Sequence, residues 1–244
     1  MSAKLNFMSQ QYFEFKQFTI NQDKCAMKVG TDAVLLGSWV DATSSKSILD
    51  IGTGTGIIAL MLAQKSYAQI DAIDIDAGAF SQATENVALC KWKERIHIFH
   101  QSFQDFYSKR ETKYDLVVSN PPYFIDSSKA LAESRTAARH TDSLPFDDLI
   151  EGVVKLLDKK GKFCVILPFK EAEYFRELAE EKKLHLDKIL RVKTRADKVE
   201  KRLLMQFEFN PTSFSESSII IEEDERHSYS YEYKELTKDY YLAF

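Results

Sequence analysis

Two short stretches hold residue types that can do chemistry together. The run Ile48-Leu49-Asp50-Ile51-Gly52-Thr53-Gly54-Thr55-Gly56 concentrates three of the chain's eight glycines between an apolar strand and an apolar helix. Glycine there allows a tight turn and lets a ligand lie against bare backbone, and the free amides at the helix start favour an anionic group. A dinucleotide fingerprint G-x-G-x-x-G would need glycine at position 57, where Ile57 stands. The next apolar run ends in acids. Asp74 follows its apolar core, where related sites use a carboxylate to accept the hydrogens of two ribose hydroxyls, and Asp76 reads as the N-cap of the following helix. The second stretch, Tyr114-Asp-Leu-Val-Val-Ser-Asn-Pro-Pro-Tyr123, ends a buried strand with Asn120, Pro121, Pro122 and Tyr123. Each proline fixes its own backbone and restricts its predecessor, so this is at the least a rigid loop.

The pattern Asp50-x-Gly52-x-Gly54-x-Gly56 resembles the cofactor loop of class I methyltransferases, which surrounds the methionine part of S-adenosylmethionine. Asn120-Pro121-Pro122-Tyr123, downstream at the end of a fourth strand, resembles the motif of those members that methylate an amino nitrogen conjugated to a planar group. Such a nitrogen donates its lone pair into the ring and is a poor nucleophile. The Asn120 side-chain oxygen and the Pro121 carbonyl would hold its two N–H groups and turn the lone pair toward the methyl, while the prolines fix the carbonyl direction. Tyr123 would stack on a flipped base, worth roughly 1–3 kcal/mol. No strong general base is required, and His97 and His100 read as structural rather than as metal ligands; no metal is expected. Where the family usually ends its third strand with an acid and an apolar residue around the cofactor's adenine, this chain has Ser102-Phe103, an acceptor and a covering ring.

These residues need elements to hold them. Strand-like runs fall at Ser47–Ile51, Gln69–Ile75, Ile96–His100, Tyr114–Ser119, Lys162–Leu167, Leu184–Val192 and Leu203–Phe209. Helix-period stretches lie between several of them, at Gly56–Gln64, Ala77–Leu89, Pro145–Leu157 and Glu171–Lys182. The alternation predicts an α/β fold: a Rossmann-like, mainly parallel seven-stranded sheet with helices on both faces and the last two strands as an antiparallel edge pair. One domain is expected over 1–244, with an arm at 1–29 leading into a helix at Thr31–Trp39, a core at 30–210, and a tail at 211–244. The tail should hold a short strand at Ile219–Glu222 and a helix near Glu232–Leu242.

Composition is that of an ordinary globular chain, with 44% hydrophobic and 29% charged residues. The longest apolar run, Ile57–Ala63, is far too short to span a bilayer, and the first residues lack a signal peptide's pattern. Cys25, Cys90 and Cys164 are odd in number and widely spaced, which suits a reducing cytoplasm. Bulk charge, a net −4, gives no support to nucleic-acid binding. Local charge does: Lys182–Arg202 holds nine Lys or Arg against three acids, and Glu216–Asp239 three basic residues against eight acids. Lys129, Arg135, Arg139 and His140 follow the proline motif, and Arg139, His140 and Arg202 are candidate RNA contacts.

Three substrate classes fit the motif: a nucleic-acid adenine or cytosine, a ribosomal guanine, and a protein glutamine. The flanks narrow them. Phe15-Lys-Gln-Phe18, Asp23-Lys-Cys-Ala-Met-Lys-Val-Gly-Thr-Asp32, Leu35-Leu-Gly37 and Tyr231–Phe244 resemble the ends of the bacterial tRNA1(Val) (adenine-37-N6)-methyltransferase family. That resemblance covers nearly the whole chain. It implies a tRNA anticodon stem–loop as partner, an adenine already outside a duplex, and a Gly30-Thr31-Asp32 turn in the cofactor pocket. A guanine-N2 or glutamine-N5 methyltransferase is the alternative, although the glutamine enzymes usually carry a helical N-terminal domain that this arm cannot supply. A nicotinamide oxidoreductase conflicts with the glycine spacing, and an RNA chaperone without turnover conflicts with the intact proline motif. The simplest assembly is a monomer.

Overall fold

The computed structural model describes residues 11–122, 144–211, 213–225 and 228–244. The chain starts with β1 (Tyr12–Glu14), β2 (Thr19–Asn21) and α1 (Thr31–Trp39). It continues through β3 (Ser47–Ile51), α2 (Ile57–Lys65), β4 (Gln69–Asp74), α3 (Ala77–Leu89), β5 (Ile96–His100), α4 (Phe103–Ser108) and β6 (Tyr114–Ser119). After the undescribed segment come α5 (Phe146–Leu156), β7 (Leu157–Pro168), α6 (Phe169–Glu181), β8 (His185–Lys193), β9 (Glu200–Glu208), β10 (Ser215–Ile220) and α7 (Tyr231–Thr237).

Eight strands form one sheet in the order β10-β8-β9-β7-β6-β3-β4-β5, and β1 and β2 pair antiparallel beside it. The strands from β7 through β6, β3 and β4 to β5 run parallel, and β9 lies antiparallel between β7 and β8. The seven expected strands are all present. An eighth, β10, pairs parallel with β8, so the antiparallel pair lies one strand in from the edge. It is the tail strand expected at Ile219–Glu222, shifted to Ser215–Ile220: Ser215-Glu-Ser-Ser is polar and exposed and gave no apolar signal, and only Ile219 of the strand is buried.

The central strands read as continuous apolar runs because both faces are covered. Along β7, Cys164 and Ile166 join a core with α1, α2 and α7, while Phe163, Val165 and Leu167 join a second core with α4, α5 and α6. Helix α2 has no polar face over Ile57–Ala63 because it is buried all round, and each large side chain there contributes roughly 1.5–3 kcal/mol. At Gly37 of α1 an added Cβ would stand 2.5 Å from the Met61 sulfur, so the two helices approach through that glycine.

The order also fixes where a ligand can sit. From β3 the chain winds outward to β4 and β5, then returns to place β6 and β7 on the other side of β3. Helical connections leave opposite faces there, which opens a crevice at the carboxyl ends of β3 and β6.

Candidate active site

A cavity of about 620 Å³ occupies that crevice, a volume that suits a small-molecule ligand. Gly52 and Gly54 of the β3–α2 loop, Asp74 at the end of β4, and Asn120, Pro121 and Pro122 at the end of β6 all line it. The glycines are there for conformation. Gly52, Gly54 and Gly56 have φ of +71°, +57° and +83°, where side chains are strained. Around Gly52 and Gly54 no atom lies within 4 Å of where a Cβ would stand, so this bare backbone faces open space.

Two carboxylates set the electrostatics beneath and beside the loop. Asp50 is fully buried; its Oδ2 accepts from the Thr53 hydroxyl at 2.6 Å, and its Oδ1 has no hydrogen-bond partner. Burial pushes this carboxyl up to about 7, against the Thr53 hydroxyl and the Ala59 amide. Asp74 accepts from the Gly54 amide at 2.8 Å and the Asp76 amide at 2.9 Å, so it braces the loop from the neighbouring strand. Burial raises Asp74 as well, with those amides pulling the other way. Asp76 caps α3, accepting from the Ala79 amide at 2.7 Å. Open glycine backbone, an orphaned buried carboxylate oxygen and an adjacent strand-end carboxylate fit a ligand with hydroxyls and a cationic group, as S-adenosylmethionine has.

The remaining walls place the other expected residues. Ser102 caps α4: its hydroxyl accepts from the Asp105 amide at 3.1 Å and donates to the Asp105 carboxylate at 2.8 Å. Phe103 is buried, edge-on to Tyr107 with ring centroids 5.2 Å apart, and reaches the cavity at one side. Gly30, Thr31 and Asp32 line the opposite wall at the start of α1. The Arg202 Nε donates to Asp32 Oδ2 at 2.8 Å, which joins β9 to α1 across the cavity rim. Asp50 and Gly56 lie behind the lining. Tyr123, Arg139 and His140, with Lys129 and Arg135, fall outside the described residues.

Two residues that sequence reasoning passed over hold this arrangement together. Asn86, buried in α3, accepts from the Asn21 amide at 2.8 Å and donates to the Asn21 and Thr55 carbonyls at 2.9 and 2.8 Å. Gln82, one turn earlier, accepts from the Lys24 amide at 2.7 Å. They tie the arm to the glycine loop. The only signal was polar residues on the helix face that also carries Ala79 and Ala83. Among the described residues no group of three His, Cys, Asp or Glu side chains is placed to hold a metal, and no helix is long and apolar enough to cross a membrane.

Known proteins resemble the chain at two levels. The family model described as methyltransferase small domain matches residues 25–181. A Parabacteroides distasonis protein named tRNA1(Val) (adenine(37)-N6)-methyltransferase is 46% identical over 235 residues, covering 96% of this chain and 99% of its own. A protein of the same name from Trichodesmium erythraeum is 45% identical over 240 residues, covering 97% and 100%. Among solved structures, a predicted O-methyltransferase from Agrobacterium tumefaciens superposes with a TM-score of 0.64 over 86% of this chain and 96% of its own. At 16% identity that likeness concerns the fold alone.

Proposed function

The chain belongs to the tRNA1(Val) (adenine(37)-N6)-methyltransferase family, and from that membership we propose that it methylates the N6 amine of adenine 37, beside the anticodon of a valine tRNA, using S-adenosylmethionine. We infer one catalytic domain over residues 1–244, with arm, core and tail, working as a monomer in the cytoplasm. When bound, S-adenosylmethionine supplies an electrophilic methyl on a sulfonium. Gly52 and Gly54 give it bare backbone, Asp74 accepts from its ribose hydroxyls, Asp50 lies beneath its cationic end, and Phe103 walls its ring. The Gly30-Thr31-Asp32 turn closes the opposite side.

One observation carries the adenine side of this reading. Asn120 and the two prolines open into the same cavity as the glycine loop, one strand away from it. Pro121 is buried and Asn120 half-buried, so their carbonyl directions are held by packing. Asn120 and the Pro121 carbonyl accept the two N6–H groups, which fixes the amine plane without removing a proton before transfer. Tyr123 stacks on the extruded base and Arg139 and His140 are candidate contacts to the RNA, while Arg202, expected as a third, is already paired with Asp32 at the rim.

Labelled methyl transfer into unmodified tRNA, stripped rRNA and a release-factor protein, with nucleoside and residue analysis, tests the reading. N6-methyladenosine confined to tRNA is expected, and label in guanine or glutamine would reject the target. Asn120→Ala should bind S-adenosylhomocysteine as the wild type does and lose about 100- to 1,000-fold in kcat; unchanged turnover would remove Asn120 from the mechanism.

A further inference from the structure

A polyanionic substrate is held by cations that the fold has not already neutralised. The cavity mouth carries opposite charge on its two halves. The β3–β4 half presents Asp74 and Asp76, with Asp50 beneath. Four strands away along the sheet, about 19 Å at the usual spacing, the wall is the end of the β8–β9 hairpin, with Thr194, Lys201 and Arg202. Most cations of this hairpin are engaged. Arg191 pairs with Glu200 and Glu216, Arg195 with Glu222, Lys198 with Asp197 and Arg202 with Asp32. Lys201 is exposed, lines the mouth and has no anionic partner among the described residues; Lys28, on the arm wall that leads into α1, is likewise exposed, lines the mouth and has no anionic partner among them.

We propose that Lys28 and Lys201 form the phosphate-docking edge of the cavity, holding the RNA backbone on either side of the base that enters it. The inference rests on the proposed RNA substrate. The acid-bearing half repels a phosphate chain, so the backbone runs over the rim between the arm and the β8–β9 end, and only the base reaches Asn120. Lysine suits this task, because a point charge on a flexible stem follows a phosphate without demanding one geometry.

The test is binding of a fluorescein-labelled valine-tRNA anticodon stem–loop to the full chain by anisotropy, from 0.1 to 1 M KCl with S-adenosylhomocysteine present. Lys28→Gln/Lys201→Gln should bind about 14-fold more weakly at 0.15 M, roughly fourfold for each phosphate that no longer meets a lysine. Its plot of log affinity against log salt should flatten by roughly 1.4, so that wild type and variant converge near 1 M. Lys159→Gln/Lys160→Gln, at the far end of β7, should leave binding unchanged. Wild-type affinity and salt slope in the Lys28/Lys201 variant would overturn the docking edge. So would a weakening that persists at 1 M, or weaker S-adenosylhomocysteine binding without RNA, since either places these lysines elsewhere. Methyl transfer is read separately: salt-sensitive RNA binding with no methylated adenine would uphold the docking edge and fail the functional reading instead.

Discussion

Asp50 sits in a dry place with one oxygen on Thr53 and the other unpartnered, and burial holds its carboxyl up to about 7. In an unfolded chain the same group ionises near 3.8. Between about pH 4 and pH 7 the folded state therefore keeps a proton that the unfolded state has released, and stability falls as pH rises through that window. Above it the buried charge costs on the order of 4 kcal/mol. Asp50→Asn removes the charge at little change in shape. Its urea midpoint should exceed that of the wild type at pH 8, and the advantage should shrink toward zero by pH 4. Equal midpoint shifts at both pH values would mean that Asp50 does not titrate in this range. A site that tolerates such a cost without ligand gains when a cation settles beside the loop.

At the scale of elements, the cofactor wall depends on how tightly helices approach. A Cβ on Gly152 of α5 would stand 2.3 Å from the Phe103 ring and 2.5 Å from the Tyr107 ring, so Gly152→Ala must displace this pair of rings, of which Phe103 walls one side of the cavity. The change should cost about 1–3 kcal/mol in thermal unfolding and weaken S-adenosylhomocysteine binding several-fold by calorimetry. Asn86→Ala strips the bonds joining the arm to the glycine loop. It should speed tryptic cleavage at Lys24 and Lys28 while leaving the β6–β7 amides protected. Helix α3 was legible because the Asp76 cap and the buried face agree over Ala77–Leu89, α1 as a short apolar run after Gly30 with no capping side chain, and the seven strands as apolar runs alternating with helical stretches. The glycine loop and Asp74 were legible through spacing. Asn86 and Gln82 were not, since a buried polar side chain in a helix looks like a solvated one until its tertiary partner is known. Ser102 was read as a ligand acceptor; it lines the cavity, and its hydroxyl also caps α4, a second role its sequence position did not announce. The pairing of Arg202 with Asp32, 170 residues away, left no local trace.

Across the whole molecule, arm and tail form one clasp. Phe15 bridges Tyr241, their rings stack at 5.9 Å, and the Lys16 ammonium donates to the Lys238 and Phe244 carbonyls at 2.6 and 2.5 Å. Tyr241→Ala should raise hydrogen exchange in β1 and β2 and weaken S-adenosylhomocysteine binding, because the cavity wall from Cys25 to Asp32 hangs from that arm. The sheet's outward-and-back winding has a consequence in time. Gly54 meets Asp74 across 20 residues, whereas Ser119 reaches Ile51 across 68, a loop whose closure costs about 4 kcal/mol in entropy. The cofactor half of the cavity can therefore assemble from a nearby stretch of chain, while the half carrying Asn120 waits for a distant strand to arrive. In pulsed hydrogen exchange during refolding, β3 and β4 should gain protection before β6, and a chain caught between those events would have a place for the methyl donor and none yet for the base.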